Sequence, residues 1–294
     1  MKQLFSERGY PMLRFLVFGD LHLEDCADGL ERLDAILRHA KEEQVDFIVS
    51  LGDLCLPTES YSPVMDRLDH CGVPVHHTIG NHDVQDWDIA ESLRFLGKER
   101  PYEAFEAGGY KFIILDTCYW KSEAGEFHFP NKQRIPSLYP VLPQEQLSWL
   151  EEQLADGKHY IIFSHMSLVN PFARRGIANK EDVQQLFEGK DILLCMNGHD
   201  HGSDLKWVNG VPYCTINSAS QFCWWGGDPP RVENLFYKDP LHVIVEVDES
   251  EIRIQGMESE FAGLKPEDVG VYDYRWNGVD VHPRAQSHVL PRKK

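Results

Sequence analysis

An α/β sandwich is the fold class the sequence predicts, on three observations. Short apolar runs rich in β-branched residues recur along the chain, segments between the early runs place apolar residues at helical spacing, and 294 residues is near the upper limit for one core. A single domain over 1–294 follows.

The first strand is expected over 13–18. A helix follows with Leu30, Leu33, Ile36, Leu37 and Ala40 on one face and Asp25 or Asp28 as its cap. Further strands are expected over 45–51, 73–79, 112–115, 160–163, 192–196 and 243–247. The stretch from Tyr119 to Pro140 has no clean period and reads as a long loop. Pro143 suits the first position of a helix carrying Leu147, Leu150 and Leu154, and Asn179 can cap one carrying Val183, Leu186 and Phe187. Strands continue to about 258, and from Ala262 onward the chain reads as a polar, irregular tail.

The 29 Lys and Arg against 47 Asp and Glu leave a formal charge of -18, which argues against general binding to nucleic acid or anionic membrane. The terminal PRKK reads as a solvated tail. Seven cysteines with no C-x-x-C pair read as reduced thiols. No leader-like stretch opens the chain and no run of 18 apolar residues occurs, so a soluble, cytoplasmic protein is expected. Nothing in the sequence fixes an oligomeric state.

Five apolar runs stop at side chains that bind metals. The first leads into Gly19, Asp20, Leu21 and His22, the second into Gly52 and Asp53, and the third into Gly80, Asn81, His82 and Asp83. The run over 160–163 leads into His165, and that over 192–196 into Gly198, His199, Asp200 and His201. Ligands collect where the carboxyl ends of strands meet, so these termini can converge. Alternation along an extended chain would send Asp20 and His22 to one side. The glycines before Asp20, Asp53, Asn81 and His199 would turn the backbone there.

Asp20, His22, Asp53, Asn81, His165, His199 and His201 are too many donors for one ion and suit two, with Asp53 as the carboxylate shared between them. Imidazole and carboxylate without thiolate favour Mn, Fe or Zn over Ca or Mg. Single motifs are weak evidence. Asp280, Val281 and His282 form a second D-x-H, and Gly227 with Asp228 a second G-D, yet neither follows a long apolar run.

G-D-x-H, G-D, G-N-H-D, a lone His and G-H-x-H in this order, across about residues 13–220, resemble the calcineurin-like metallophosphoesterase superfamily. The resemblance implies one metal on Asp20, His22, Asp53 and His201 and a second on Asp53, Asn81, His165 and His199. It also implies a four-layer αββα sandwich with two facing mixed sheets and outer helices. Leu56 stands where purple acid phosphatases place a metal-binding Tyr, and His22 is present where they lack it, so that branch is disfavoured. Arginase-like enzymes also use D-x-H, but their D-x-D-x-x-D signature is absent.

The implied chemistry is hydrolysis of a small phosphomonoester or phosphodiester, a nucleotide included, by a hydroxide shared between the ions. His82 can protonate the leaving oxygen or bind a phosphoryl oxygen, and Asp83 can orient or charge-stabilise His82. The plainer alternative makes His82 a packed turn histidine. His76 and His77 read as structural, Asp200 as pointing away from the ligands, and Arg174 and Arg175 as a solvated loop within reach of a phosphate. Phe222, Trp224, Trp225, Tyr119 and Trp120 are candidates for core packing or for stacking on a base. An inactive protein-binding scaffold of the same fold is the competing reading, and the intact ligand positions weigh against it.

Overall fold

The computed structural model describes residues 12–84, 87–122, 125–128 and 139–292. Two six-stranded sheets form its centre. The first runs His288–Pro291, Glu251–Gly256, Val243–Val247, Leu13–Phe18, Phe47–Ser50 and Val75–His77, with the last three parallel and the others antiparallel. The second runs Asp204–Val208, Val211–Thr215, Asp191–Asn197, His159–Ser164, Tyr110–Leu115 and Glu103–Ala107. Its four middle strands are parallel, and both edges are antiparallel.

Alternation along each strand explains how the sheets stack. Phe15 and Val17 face a core shared with Phe112, Ile114, Ile161 and Phe163 of the second sheet. Their neighbours Leu16 and Phe18 face Leu33 and Ile36 of the helix Gly29–Glu42 and Val64 of the helix Ser62–Asp69. On the far side, Ile113, Leu115 and Ile162 pack on Leu147 and Leu150 of Gln144–Gln153 and on Val183 of Lys180–Leu186. The result is helix, sheet, sheet, helix. Strands covered on both faces must be apolar throughout, which is why these runs lack polar alternation.

Several expectations are corrected. The described parts of the 119–140 stretch are strands, Tyr119–Ser122, Gly125–His128 and Tyr139–Val141, joined in a small sheet. The rest of that loop, residues 123–124 and 129–138, lies outside the described residues, as do the first eleven residues and Lys293 and Lys294 of the basic tail. The tail from Ala262 is not irregular throughout: it holds the hairpin Arg275–Trp276 and Val279–Asp280, and His288–Pro291 closes the edge of the first sheet. Such short strands carry too few residues for a visible period. Asp28 sits at the N-cap of the first helix but makes no capping bond; its carboxylate takes Arg32 Nε at 2.8 Å. Asn179 likewise caps nothing, because both ends of its amide bind the backbone of Leu142. Pro143 precedes its helix as the N-cap rather than opening it.

Candidate metal centre

All five motif loops leave the carboxyl ends of neighbouring parallel strands. Asp20 and His22 follow Leu13–Phe18, Asp53 follows Phe47–Ser50, and Asn81 opens a short helix after Val75–His77. His165 follows His159–Ser164, and His199 and His201 follow Asp191–Asn197. Each of the seven is brought to one cluster, although not by strand alternation. The first strand has ended by Asp20, and Asp20, His22, Asp53, His199 and His201 all lie in the left-handed region, with φ of 54, 45, 50, 67 and 48°.

Holding a non-glycine residue there costs on the order of 1 kcal/mol each. Hydrogen bonds fix the strained loops: Asp20 N donates to Gly52 O at 2.9 Å, His22 N to Asp53 O at 3.0 Å, and the Ser218 and Ser220 hydroxyls to Asp20 O. Asp20, His22, Asp53, His199 and His201 themselves therefore turn the chain. Of the four preceding glycines only Gly52 has a positive φ. Gly80 and Gly198 are needed for close approach, since a Cβ would lie 2.2 Å from Asp53 Oδ1 at the first and 2.4 Å from Asp20 Oδ2 at the second.

The histidines are oriented by their outer nitrogens. Nδ1 of His165 meets Leu51 O at 2.7 Å, Nδ1 of His201 meets Gln221 O at 2.9 Å, and Nε2 of His199 meets Arg174 O at 2.8 Å. A carbonyl only accepts, so each of these nitrogens carries hydrogen and the inner nitrogen presents a lone pair. His22 is set the same way by Glu24 Oε1, 3.3 Å from its Nδ1. The inner atoms then face one another: His22 Nε2 lies 3.1 Å from His201 Nε2, and His199 Nδ1 lies 3.2 Å from His165 Nε2. Asn81 Oδ1 is 3.1 Å from His165 Nε2, and His201 Nε2 is 3.4 Å from Asp20 Oδ1. Asp53 Oδ2 stands between the two groups, 3.6 Å from His22 Nε2 and 3.3 Å from His165 Nε2.

Lone pairs directed at lone pairs, beside two buried carboxylates, are stable only with positive charge between them. Protons can supply part of it. Although burial opposes the charge, Glu24 and Asp53 lift His22 to about 9, and Asp53 lifts His165 to about 10. Their partners move the other way: burial, then the neighbouring imidazoles, holds His199 and His201 down. The two places where ring nitrogens face one another, His22 with His201 and His165 with His199, are the two places where a cation fits. The donor set, nitrogen and carboxylate oxygen without sulfur, suits Mn, Fe or Zn. Asp20, His22 and His201 offer one group of ligand atoms within 4.8 Å, and Asp53, His165 and His199 another.

Asp83 does not orient His82. Its carboxylate accepts from Gly80 N at 2.7 Å, Asp53 N at 3.1 Å and Leu54 N at 3.2 Å, tying the second and third loops together. Burial, and after it the Asp53 charge, pushes its carboxyl up to about 7 against those donors. His82 faces Glu24 instead, with Nδ1 3.6 Å from Oε1, while its backbone N–H donates to Asp53 Oδ1 at 2.7 Å. Sequence reasoning passed over Glu24, although it stands two residues beyond His22 in D-L-H-L-E. Against burial, the hydrogen bond from His22 and the His82 ring beside it hold the carboxyl at about 2.

Arg175 is not a solvated arginine. Its Nη1 donates to His199 O at 3.3 Å, and its Nε lies 3.9 Å from the buried Asp200 carboxylate, which also accepts from Asn170 at 3.0 Å. Arg174 lies over the Trp120 ring at 5.7 Å. Phe222 and Trp224 are buried, and both pack near Trp276. His76 stacks on Phe105, and His77 is buried away from the cluster. All seven cysteines are free thiols, and among the described residues no helix is long and apolar enough to cross a membrane.

Residues 13–203 match the family model of the calcineurin-like phosphoesterases. The chain is 24% identical over 285 residues to a manganese-dependent ADP-ribose/CDP-alcohol diphosphatase of Danio rerio, covering 71% of this chain and 88% of that protein. It is also 24% identical over 200 residues to a probable cyclic nucleotide phosphodiesterase of Psychrobacter arcticus, covering 64% and 70%. Among solved structures, a dimetal phosphatase from Danio rerio superposes with a TM-score of 0.62 at 17% identity, over 86% of this chain and 99% of that one. That likeness is one of fold. The family match spans the same strand ends and loops that build the cluster, and the chain belongs to the calcineurin-like phosphoesterase family, as a metal-dependent hydrolase of phosphoester bonds.

Proposed function

We propose that this protein hydrolyses a small phosphomonoester or phosphodiester, with nucleotides as the leading substrate class, using two transition-metal ions. The observation that carries the reading is the pair of histidine couples turned lone pair to lone pair around Asp20 and Asp53. Asp20, His22, Asp53 and His201 would hold one ion and Asp53, Asn81, His165 and His199 the other. Manganese is the first choice, with iron or zinc as alternatives. Bound there, the ions supply charge that neutralises a phosphoryl group and acidifies water.

The chain's own residues do the positioning. Backbone carbonyls fix three of the imidazoles before any ligand arrives, so little reorganisation is left to the reaction. His82, with 35% of its side chain exposed, sits beside the shared carboxylate and holds a proton for the leaving oxygen. The names of both relatives refer to nucleoside phosphates, which supports a nucleotide substrate. The charge of -18 speaks against a nucleic-acid polymer. Pairing of Leu13–Phe18 with Val243–Val247 supports one domain, and seven unpaired cysteines support a reducing cytoplasm.

The test is a panel of aryl phosphomonoesters, aryl phosphodiesters, cyclic nucleotides and nucleoside diphosphate esters on manganese-loaded protein, with Asp53→Asn as control. Two ions per chain and turnover lost in the variant are expected. Bound metal with no turnover anywhere on the panel would replace this reading with the scaffold.

A further inference from the structure

We infer that Glu24 is a positioning residue that couples the metal centre to the proton donor, by holding His22 and His82 with one carboxylate oxygen. Oε1 lies 3.3 Å from Nδ1 of His22 and 3.6 Å from Nδ1 of His82, and the two rings meet edge to face with centroids 4.5 Å apart. The carboxylate is itself fixed. Asp25 N donates to His22 O at 2.9 Å, closing a turn around Glu24, whose side chain is 14% exposed and whose Oε2 is buried without a hydrogen-bond partner. A half-buried carboxylate with one oxygen unpartnered is stabilised by the two imidazoles that face its other oxygen.

Donation from Nδ1 has a consequence at the far side of each ring. It leaves the His22 Nε2 lone pair directed at the cluster, and it turns the His82 Nε2 away from Glu24, so that when the His82 ring carries both hydrogens the one on Nε2 passes to the leaving oxygen and the one on Nδ1 stays on Glu24. Among the described residues no other carboxylate does this for His82, since Asp83 is occupied by Gly80, Asp53 and Leu54.

The inference rests on the metal and proton-donor reading above, and the experiment separates the two. Zinc-loaded wild type and Glu24→Ala labelled with 15N-histidine report tautomers directly, and kcat is compared for matched alkyl and p-nitrophenyl esters in wild type, Glu24→Gln, His82→Ala and the double variant. Expected are a protonated His82 Nδ1 in wild type that is lost in Glu24→Ala, and an alkyl-ester kcat lowered about 10- to 100-fold in Glu24→Gln. Aryl turnover should fall less than alkyl turnover in Glu24→Gln, and that extra alkyl-ester loss should vanish once His82 is Ala, the double variant differing from His82→Ala only by the smaller factor that reaches both esters through His22. A bare His82 Nδ1 in wild type, or equal losses for both esters, overturns the inference. So does a third zinc per chain that Glu24→Gln removes, which would make Glu24 a ligand. Wild type without a metal pair would instead defeat the reading of the centre, while the His82 signal still decides the role of Glu24.

Discussion

Asp20-Leu21-His22 and Asp280-Val281-His282 share one pattern, and in both the middle residue is fully buried. They differ in where the polar atoms go. Asp280 Oδ1 accepts from the backbone of His282 and lies against its ring, and Oδ2 accepts from Arg284 and Gln286 at 3.1 Å. His282 is 45% exposed and stacks on Tyr274. Every strong acceptor is thus used within six residues. Asp20 and His22 are almost fully buried, held in left-handed conformations, and aimed at His201 and Asp53 from other loops. A tripeptide acquires chemistry only when the fold denies it local partners.

Exchanging carboxylate for amide at both aspartates breaks or sharpens that contrast most strongly. Asp20→Asn should lower kcat/KM by about 10³-fold or more and remove one ion per chain. Asp280→Asn should leave turnover within about twofold and cost about 1–2 kcal/mol of stability, because it weakens bonds to His282, Arg284 and Gln286. Metal analysis, steady-state kinetics and urea unfolding of the pair decide it. Loss of metal from Asp280→Asn would show that the two patterns are not distinct.

A smaller effect is expected from the packing behind the pattern. The methyl group of Gly198→Ala would lie 2.4 Å from Asp20 Oδ2, so the carboxylate must move, and a displacement near 1 Å costs about 10²-fold in turnover. Gly263→Ala in the C-terminal segment meets nothing within 4 Å and should change neither kcat nor stability by more than about 1 kcal/mol. Equal activity in the two variants would show that the site is more compliant than its geometry indicates.

The same contrast explains how much the sequence revealed. The residues that cluster at the strand ends were legible because five buried runs end in costly polar residues, and burial of that kind needs a reason. Glu24 was not legible, because a Glu after a D-x-H looks like any solvated first-turn carboxylate until His82 is folded onto it. The Asp83 carboxylate turns to the backbone of Gly80, Asp53 and Leu54, a direction that chain adjacency to His82 does not reveal in a tight turn. Among the strands, Asp204–Val208 and Val211–Thr215 flank Asn209-Gly210, both at positive φ, which is a hairpin signal. Pro212 lies opposite Trp207 near the start of its strand, before pairing with Asp191–Asn197 begins at Tyr213. The strand His288–Pro291 has four residues and one buried leucine, and only the exposed edge of Glu251–Gly256 gives it a place.

The last and smallest effect separates buried histidines by their surroundings. Within the cluster, carboxylates lift His22 and His165. Outside it, burial dominates: His77 is pushed down to about 3, further by Lys98, and His242 to about 4, further by His39. These two stay neutral in the folded chain where the unfolded chain takes up protons, near pH 6.5. Stability from each is therefore complete above pH 6.5 and falls as pH drops toward 4 for His242 and 3 for His77. At pH 5 the loss is about 2 kcal/mol per histidine. Urea unfolding of metal-free protein between pH 7 and 4 should show this slope, and His242→Gln should remove about one proton's worth of it. An unchanged slope would mean that His242 is protonated in the folded chain, and that burial alone does not set these histidines apart from the ones that face Asp20 and Asp53.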